Sequence, residues 1–201
     1  MRLPYSQQFL SEDRADALFS LLETMNFKRR VNPRNSKQFL KRGTMTYQDL
    51  NAAAGDVKTA GNEDVELLDL ATAPEEIRYV RDRLTEWEGR PVNYISINRY
   101  PDGSAGIGWH NHKEDLAINT PVFLLSVGSP RTIWIREIGS DVADGQLMEH
   151  GDMVTMPAAM NATHQHAVLP EPKVVGVRYS LNCKCLEIKP ILGSFSRGVQ
   201  C

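Results

Sequence analysis

Cysteine is scarce: Cys183, Cys185 and Cys201 are the only three in a chain of 201 residues. An odd number so late in the sequence excludes a disulfide-stapled scaffold and favours free thiols in a reducing compartment. Cys183 and Cys185 read first as two small apolar strand residues and only second as half of a metal site. No apolar run approaches the ~20 residues of a membrane span, and the start, MRLPYSQQFL, lacks the apolar stretch of a signal peptide. The expectation is a cytoplasmic protein without a membrane partner. Internal repeats and low-complexity tracts are also missing, which excludes a solenoid. A net charge of -2 argues against a dedicated polyanion binder. What remains, 41% hydrophobic and 24% charged, is ordinary globular composition, consistent with one domain and, most simply, a monomer.

The charge is unevenly spread. Between Phe27 and Gly43 lie Lys28, Arg29, Arg30, Arg34, Lys37, Lys41 and Arg42, with no acidic residue among them. Such a run is either a solvated surface or a local phosphate-contacting patch. Residues 11–26 have a helical apolar period, with Ser11 as cap and Glu12 and Asp13 at the positive end of the dipole. A second helix is expected from Thr72, whose spacing to Glu75 is that of a capping box; Ile77, Val80, Leu84 and Trp87 form its stripe and Gly89 its stop. Residues 28–66 predict short strands and a mobile loop. From residue 92 onward, short strands separated by turn signals, without helices between them, indicate an antiparallel sandwich or barrel buttressed by the N-terminal helices.

All five histidines, His110, His112, His150, His164 and His166, fall within residues 110–166. In GWHNHKED, His110 and His112 share a face if the segment is extended, and Glu114 joins them if the strand continues. THQHAV pairs His164 and His166 in the same way. Two such pairs in a β-rich region point to a bound metal, while the cysteine and histidine spacing does not fit a zinc finger. On the strand expected at 174–185, Arg178, Ser180, Asn182 and Lys184 share one face; on 92–100, Tyr94, Ser96, Asn98 and Tyr100 do. A solvated face explains either strand taken alone. If both faces look inward, two cations, an amide and two phenols converge as a pocket for a small dicarboxylate beside a metal.

The segments NYISINRYPDGSAGIGWHNHKED, LLSVG, MEHGD, THQHAVLP and RYSLNCK, in this order, resemble the AlkB family of iron- and 2-oxoglutarate-dependent dioxygenases. The resemblance implies a mainly β fold with flanking helices: a double-stranded β-helix (jelly-roll) core over 91–188, a supporting helix at 71–90, an N-terminal helix and basic substrate lid over 1–70, and a tail at 189–201. It also implies Fe(II), 2-oxoglutarate and O2, with His110 and His166 as iron ligands and Asn98, Tyr100 and Arg178 on the cosubstrate. Lys184 stands at the place of a second arginine, and Ser180 at that of an asparagine. The implied substrate is a nucleic-acid base, DNA or RNA, oxidatively demethylated as in repair. The basic stretch 28–42 would hold the phosphates, and Arg34, Lys37, Gln38, Met45 and Tyr47 would form the lid.

His112 stands where the family has a metal-binding aspartate. Three outcomes are open: three neutral histidines hold the iron facially, Glu114 supplies a carboxylate, or the site is impaired. An impaired site would leave a nucleic-acid-binding protein without catalysis. Three histidines with an open position also describe a hydrolytic metal centre.

Overall fold

The computed structural model describes residues 4–32, 35–50, 66–112 and 120–186. Its core is two facing sheets. The larger runs in the order β1 (Tyr5–Ser6), β10 (Met153–Met156), β7 (Val122–Gly128), β12 (Arg178–Lys184), β5 (Tyr94–Tyr100), β3 (Asn35–Gln48) and β2 (Lys28–Asn32), with β4 (Leu67–Asp69) added in parallel to β3. The smaller runs β6 (Ile107–His110), β11 (His164–Val168), β8 (Arg131–Glu137) and β9 (Asp144–Met148). All other pairings are antiparallel, and the result is the expected jelly-roll.

Period-two alternation gives each central strand of the large sheet two different faces. Ile95, Ile97, Phe123, Leu125, Val127, Tyr179, Leu181 and Cys183 bury one face against helices α1 (Glu12–Glu23) and α2 (Glu75–Glu88), which contribute Leu18, Leu22, Ile77, Val80 and Leu84. Each of these leucines and isoleucines is worth roughly 2 kcal/mol relative to exposure, so the helices are part of the core. A second apolar cluster, with Val122, Leu124, Ile133, Ile135, Met148 and Val168, lies between the sheets. Beside it the inner face of the large sheet turns polar, and that is where the site forms.

Several expectations change in detail. The second helix starts two residues later than its capping-box spacing suggests: Pro74 is the N-cap with no side-chain hydrogen bond, and Thr72 closes a preceding 3-10 turn by donating to the Asp69 carbonyl at 3.2 Å. Trp87 is 54% exposed and meets Phe9 edge-on instead of entering the core. The last strand begins only at Arg178, because Gly176 has φ 119°, a conformation that breaks a strand; Val175 is 86% exposed. The expected short strands after Phe27 include one of 14 residues, β3, and the expected loop falls on residues 51–65, outside the described ones. A short helix α3 (Met160–Thr163) ahead of β11 was not anticipated.

Candidate metal and cosubstrate site

Strand pairing explains how distant histidines meet. His166 on β11 lies opposite His110 on β6, and the register shifts between that pair and Val168 opposite Ile107. Gly108 and Trp109 thus face the single residue Ala167. This bulge turns Ile107 and His110 into the same cavity, while Trp109 packs under the Arg136 guanidinium at 4.1 Å. His110 is further aimed by its Nδ1, which donates to the Gly108 carbonyl at 2.8 Å. A carbonyl only accepts, so Nδ1 carries the proton and Nε2 keeps its lone pair.

β6 ends at His110, so His112 is not placed by strand alternation as its spacing suggests. It still joins the group. One ring nitrogen each of His110, His112 and His166 lies within 4.8 Å of the others, a separation that small side-chain rotations close around one ion. Burial pushes His166 well below the ordinary imidazole value of 6.5, and repulsion from His110, His112 and Lys184 adds to it. It is therefore neutral at neutral pH, the form that could ligate a metal. His164 is outside the group, with Nδ1 2.8 Å from the Thr163 hydroxyl. His150 accepts the Gly128 N–H at 2.8 Å and is a structural residue. Glu114 lies outside the described residues.

These histidines line a cavity of about 230 Å³ together with Tyr94, Ser96, Asn98, Tyr100, Ser180, Asn182 and Lys184, so both polar strand faces do look inward. Arg178 sits beneath Tyr100, its guanidinium carbon 5.2 Å from the ring centroid, and is only 1% exposed. Its Nε donates to Ser126 at 2.8 Å, while Nη1 and Nη2 have no hydrogen-bond partner among the described residues. A buried guanidinium with two orphaned nitrogens fits an anionic ligand that supplies the missing acceptors. Asn98 is oriented by its neighbours: its Oδ1 accepts from Arg42 Nε at 3.3 Å and from Thr44 Oγ1 at 3.2 Å. An arginine only donates, so the amide oxygen must face Arg42 and the NH2 is left for another acceptor.

The expected lid residues are not brought together at this cavity. Tyr47 is 4% exposed within the core cluster on the helix side, where burial raises its phenol pKa, and Met45 packs against the same cluster. Neither lines the histidine cavity in this arrangement, because β3 alternation turns Thr44 and Thr46 toward the site and Met45 and Tyr47 away. Replacing Tyr47 by leucine is expected to lower unfolding free energy by about 1–3 kcal/mol through mispacking. 2-Oxoglutarate affinity should stay within about twofold, a combination that denaturant melts and titration calorimetry check together. Gln38 is exposed; Arg34 and the Lys37 side chain are outside what is described. The basic run also divides: Lys28 pairs with Glu66 at 2.6 Å and Arg29 donates to the Leu40 carbonyl, whereas Arg30 and Arg42 line the cavity. The pairing of Arg42 with Thr44 and Thr46 on one face was available in the period-two pattern, had the stretch been read as one strand.

A family model described as the 2OG-Fe(II) oxygenase superfamily matches residues 3–183. The chain belongs to this superfamily. Within it the similarity is to AlkB-like members. The chain is 32% identical over 112 residues to the DNA oxidative demethylase ALKBH2 of Bos taurus, covering 51% of this chain and 40% of that protein. The ALKBH2 proteins of Mus musculus and Homo sapiens are each 31% identical, with 46% and 42% of their lengths covered. The match thus spans less than half of these relatives. Two solved structures share the fold. One is OsALKBH1, at TM-score 0.58 and 17% identity over 90% of this chain and 97% of that one. The other is a Trichoplax adhaerens prolyl hydroxylase in complex with a hypoxia inducible factor peptide fragment, at TM-score 0.60 and 12% identity over 92% and 83%. Membership implies Fe(II), 2-oxoglutarate and O2, and the cluster of three histidines fits iron.

Proposed function

We propose that this chain is a 2-oxoglutarate-dependent dioxygenase that holds Fe(II) on His110, His112 and His166 and oxidatively demethylates N-alkylated bases in nucleic acid. The observation that carries the reading is the conjunction of three imidazoles converging on one cavity with a buried arginine, packed against the Tyr100 ring that lines it, whose Nη1 and Nη2 lack partners among the described residues. The substrate class is supported by the similarity to DNA oxidative demethylases and by Arg30 and Arg42 at the cavity wall. When bound, iron and 2-oxoglutarate supply the oxidation by O2, with succinate and CO2 as co-products and a hydroxylated N-methyl group that leaves as formaldehyde.

The residues of the chain then orient and exclude. Arg178 takes one carboxylate of 2-oxoglutarate through Nη1 and Nη2, assisted by Tyr100 and by the Asn98 amide N–H that Arg42 and Thr44 direct. Lys184, 3% exposed, contributes positive charge without the fork geometry of an arginine. His110 keeps its metal-facing lone pair because Gly108 holds the proton on the other nitrogen. Leu124, Ile133 and Val168 make the apolar wall that keeps water from the reacting carbon. A base must leave its stack to enter so small a space.

The reading has a direct test. Anaerobic addition of Fe(II) and 2-oxoglutarate should give a weak visible charge-transfer band. Admitting air with an N-methylated oligonucleotide should then give succinate and formaldehyde in equal amounts. With iron loading verified, absence of both signals rejects the dioxygenase; succinate without formaldehyde retains the oxygenase and rejects the demethylated base.

A further inference from the structure

We propose that Asn161 is the positioning residue for the third histidine, and that through it the short helix α3 decides whether His112 can serve as a metal ligand. This rests on the three-histidine reading above. His112 needs such a device because it lies two residues beyond the end of β6, where no strand ladder holds it. Two hydrogen bonds accepted by one residue restrain it instead. The His112 backbone N–H donates to Asn161 Oδ1 at 3.2 Å, and the Asn111 side-chain Nδ2 donates to the Asn161 carbonyl at 3.1 Å. Asn161 thus grips the backbone of residue 112 and the side chain of residue 111 at once, from the element that immediately precedes the strand bearing His166. One short segment, residues 160–166, therefore carries one histidine and fixes another.

Packing does not account for an asparagine here. Asn161 is 3% exposed, and its Nδ2 is buried with no partner among the described residues. A buried amide that satisfies only its oxygen costs stability, so a residue without polar atoms would serve the fold better. What the amide oxygen does is restrain His112, in the way outer partners restrain metal ligands elsewhere, where their loss costs roughly 10–100-fold in affinity.

The test uses Co2+ alone as the probe, titrated into the full chain and followed by its visible absorption and by calorimetry. Asn161→Ala should weaken Co2+ about tenfold, and Asn161→Asp, which keeps an oxygen for the His112 N–H, should recover most of that loss. In a His112→Ala background, Asn161→Ala should have no further effect, because the residue acts through the missing ligand. If Asn161→Ala fails to fold, Asn161→Ser takes its place in the cycle. Additive losses in the double variant, or no recovery with aspartate, would overturn the positioning role. If His112→Ala weakens Co2+ but Asn161→Ala does not, only the role of Asn161 falls. If His112→Ala itself leaves Co2+ affinity unchanged, the three-histidine reading falls and Asn161 with it.

Discussion

Arg178→Met is expected to weaken 2-oxoglutarate binding at least about 100-fold while leaving the melting temperature of the ligand-free protein unchanged or raised. The two effects have opposite signs for one physical reason. In the free protein, Arg178 is a charge buried to 1% exposure; its Nε donates to Ser126, while Nη1 and Nη2 lack partners among the described residues. Burial lowers its pKa from the ordinary value, the nearby Arg131 adds to that, and Tyr100 works against it. Replacing an ill-satisfied buried charge by an apolar side chain of similar length is often neutral or stabilising. The ligand changes the balance, since a carboxylate gives Nη1 and Nη2 the acceptors they lack. Hydrogen bonds to charged groups are worth about 1.5–3 kcal/mol each, so losing two exceeds the roughly 2.7 kcal/mol that corresponds to 100-fold. Arg178→Lys keeps the charge but not the fork, and should recover only part of the affinity. Thermal melts with and without 2-oxoglutarate, beside calorimetric titration, read both effects. An unchanged 2-oxoglutarate affinity would show that the carboxylate is anchored elsewhere.

How much of this was legible in the sequence depends on how local the cause is. The face sorting of β5 and β12 was readable because alternation is a property of each strand, and adjacent pairing from Arg178 opposite Tyr100 to Lys184 opposite Tyr94 superimposes the two patterns. His110 and His166 were legible by resemblance, but the reason they meet was not: it is a bulge at Gly108–Trp109, set by cross-strand register. The placing of Tyr47 and Met45 in a lid goes with reading the stretch between the helices as short strands and a loop. Once it is a 14-residue strand, parity sends Arg42, Thr44 and Thr46 inward and the two apolar residues to the core. Arg131 could not have been found at all. It is 1% exposed and donates to the carbonyls of Asp102, Ala105 and Leu169, a role defined by two loops distant from it in sequence. Asn161 is of the same kind.

The comparison of His112→Ala with His112→Asp separates what the third ligand contributes as a donor from what it contributes as a neutral one. Alanine removes the donor and should cost metal affinity on the order of 100-fold, with the backbone bond to Asn161 still available to hold the segment. Aspartate restores a donor but adds a negative charge to a cavity whose described lining includes Arg30, Arg42 and Lys184 and no carboxylate. That charge favours the cation and opposes the 2-oxoglutarate dianion. At ~5 Å and an effective dielectric of ~20, unit charges interact by about 3 kcal/mol; partial screening by the metal and solvent brings the expected loss of 2-oxoglutarate affinity to about tenfold, or 1.4 kcal/mol. The expected pattern for aspartate is therefore metal affinity equal to or above that of the histidine protein, weaker 2-oxoglutarate binding, and slower succinate formation at limiting 2-oxoglutarate. Calorimetry with Fe(II) under anaerobic conditions, followed by titration of 2-oxoglutarate, measures each part. Should aspartate instead raise both 2-oxoglutarate affinity and turnover, the imidazole at position 112 is an impairing substitution, and the working centre is the one with a carboxylate.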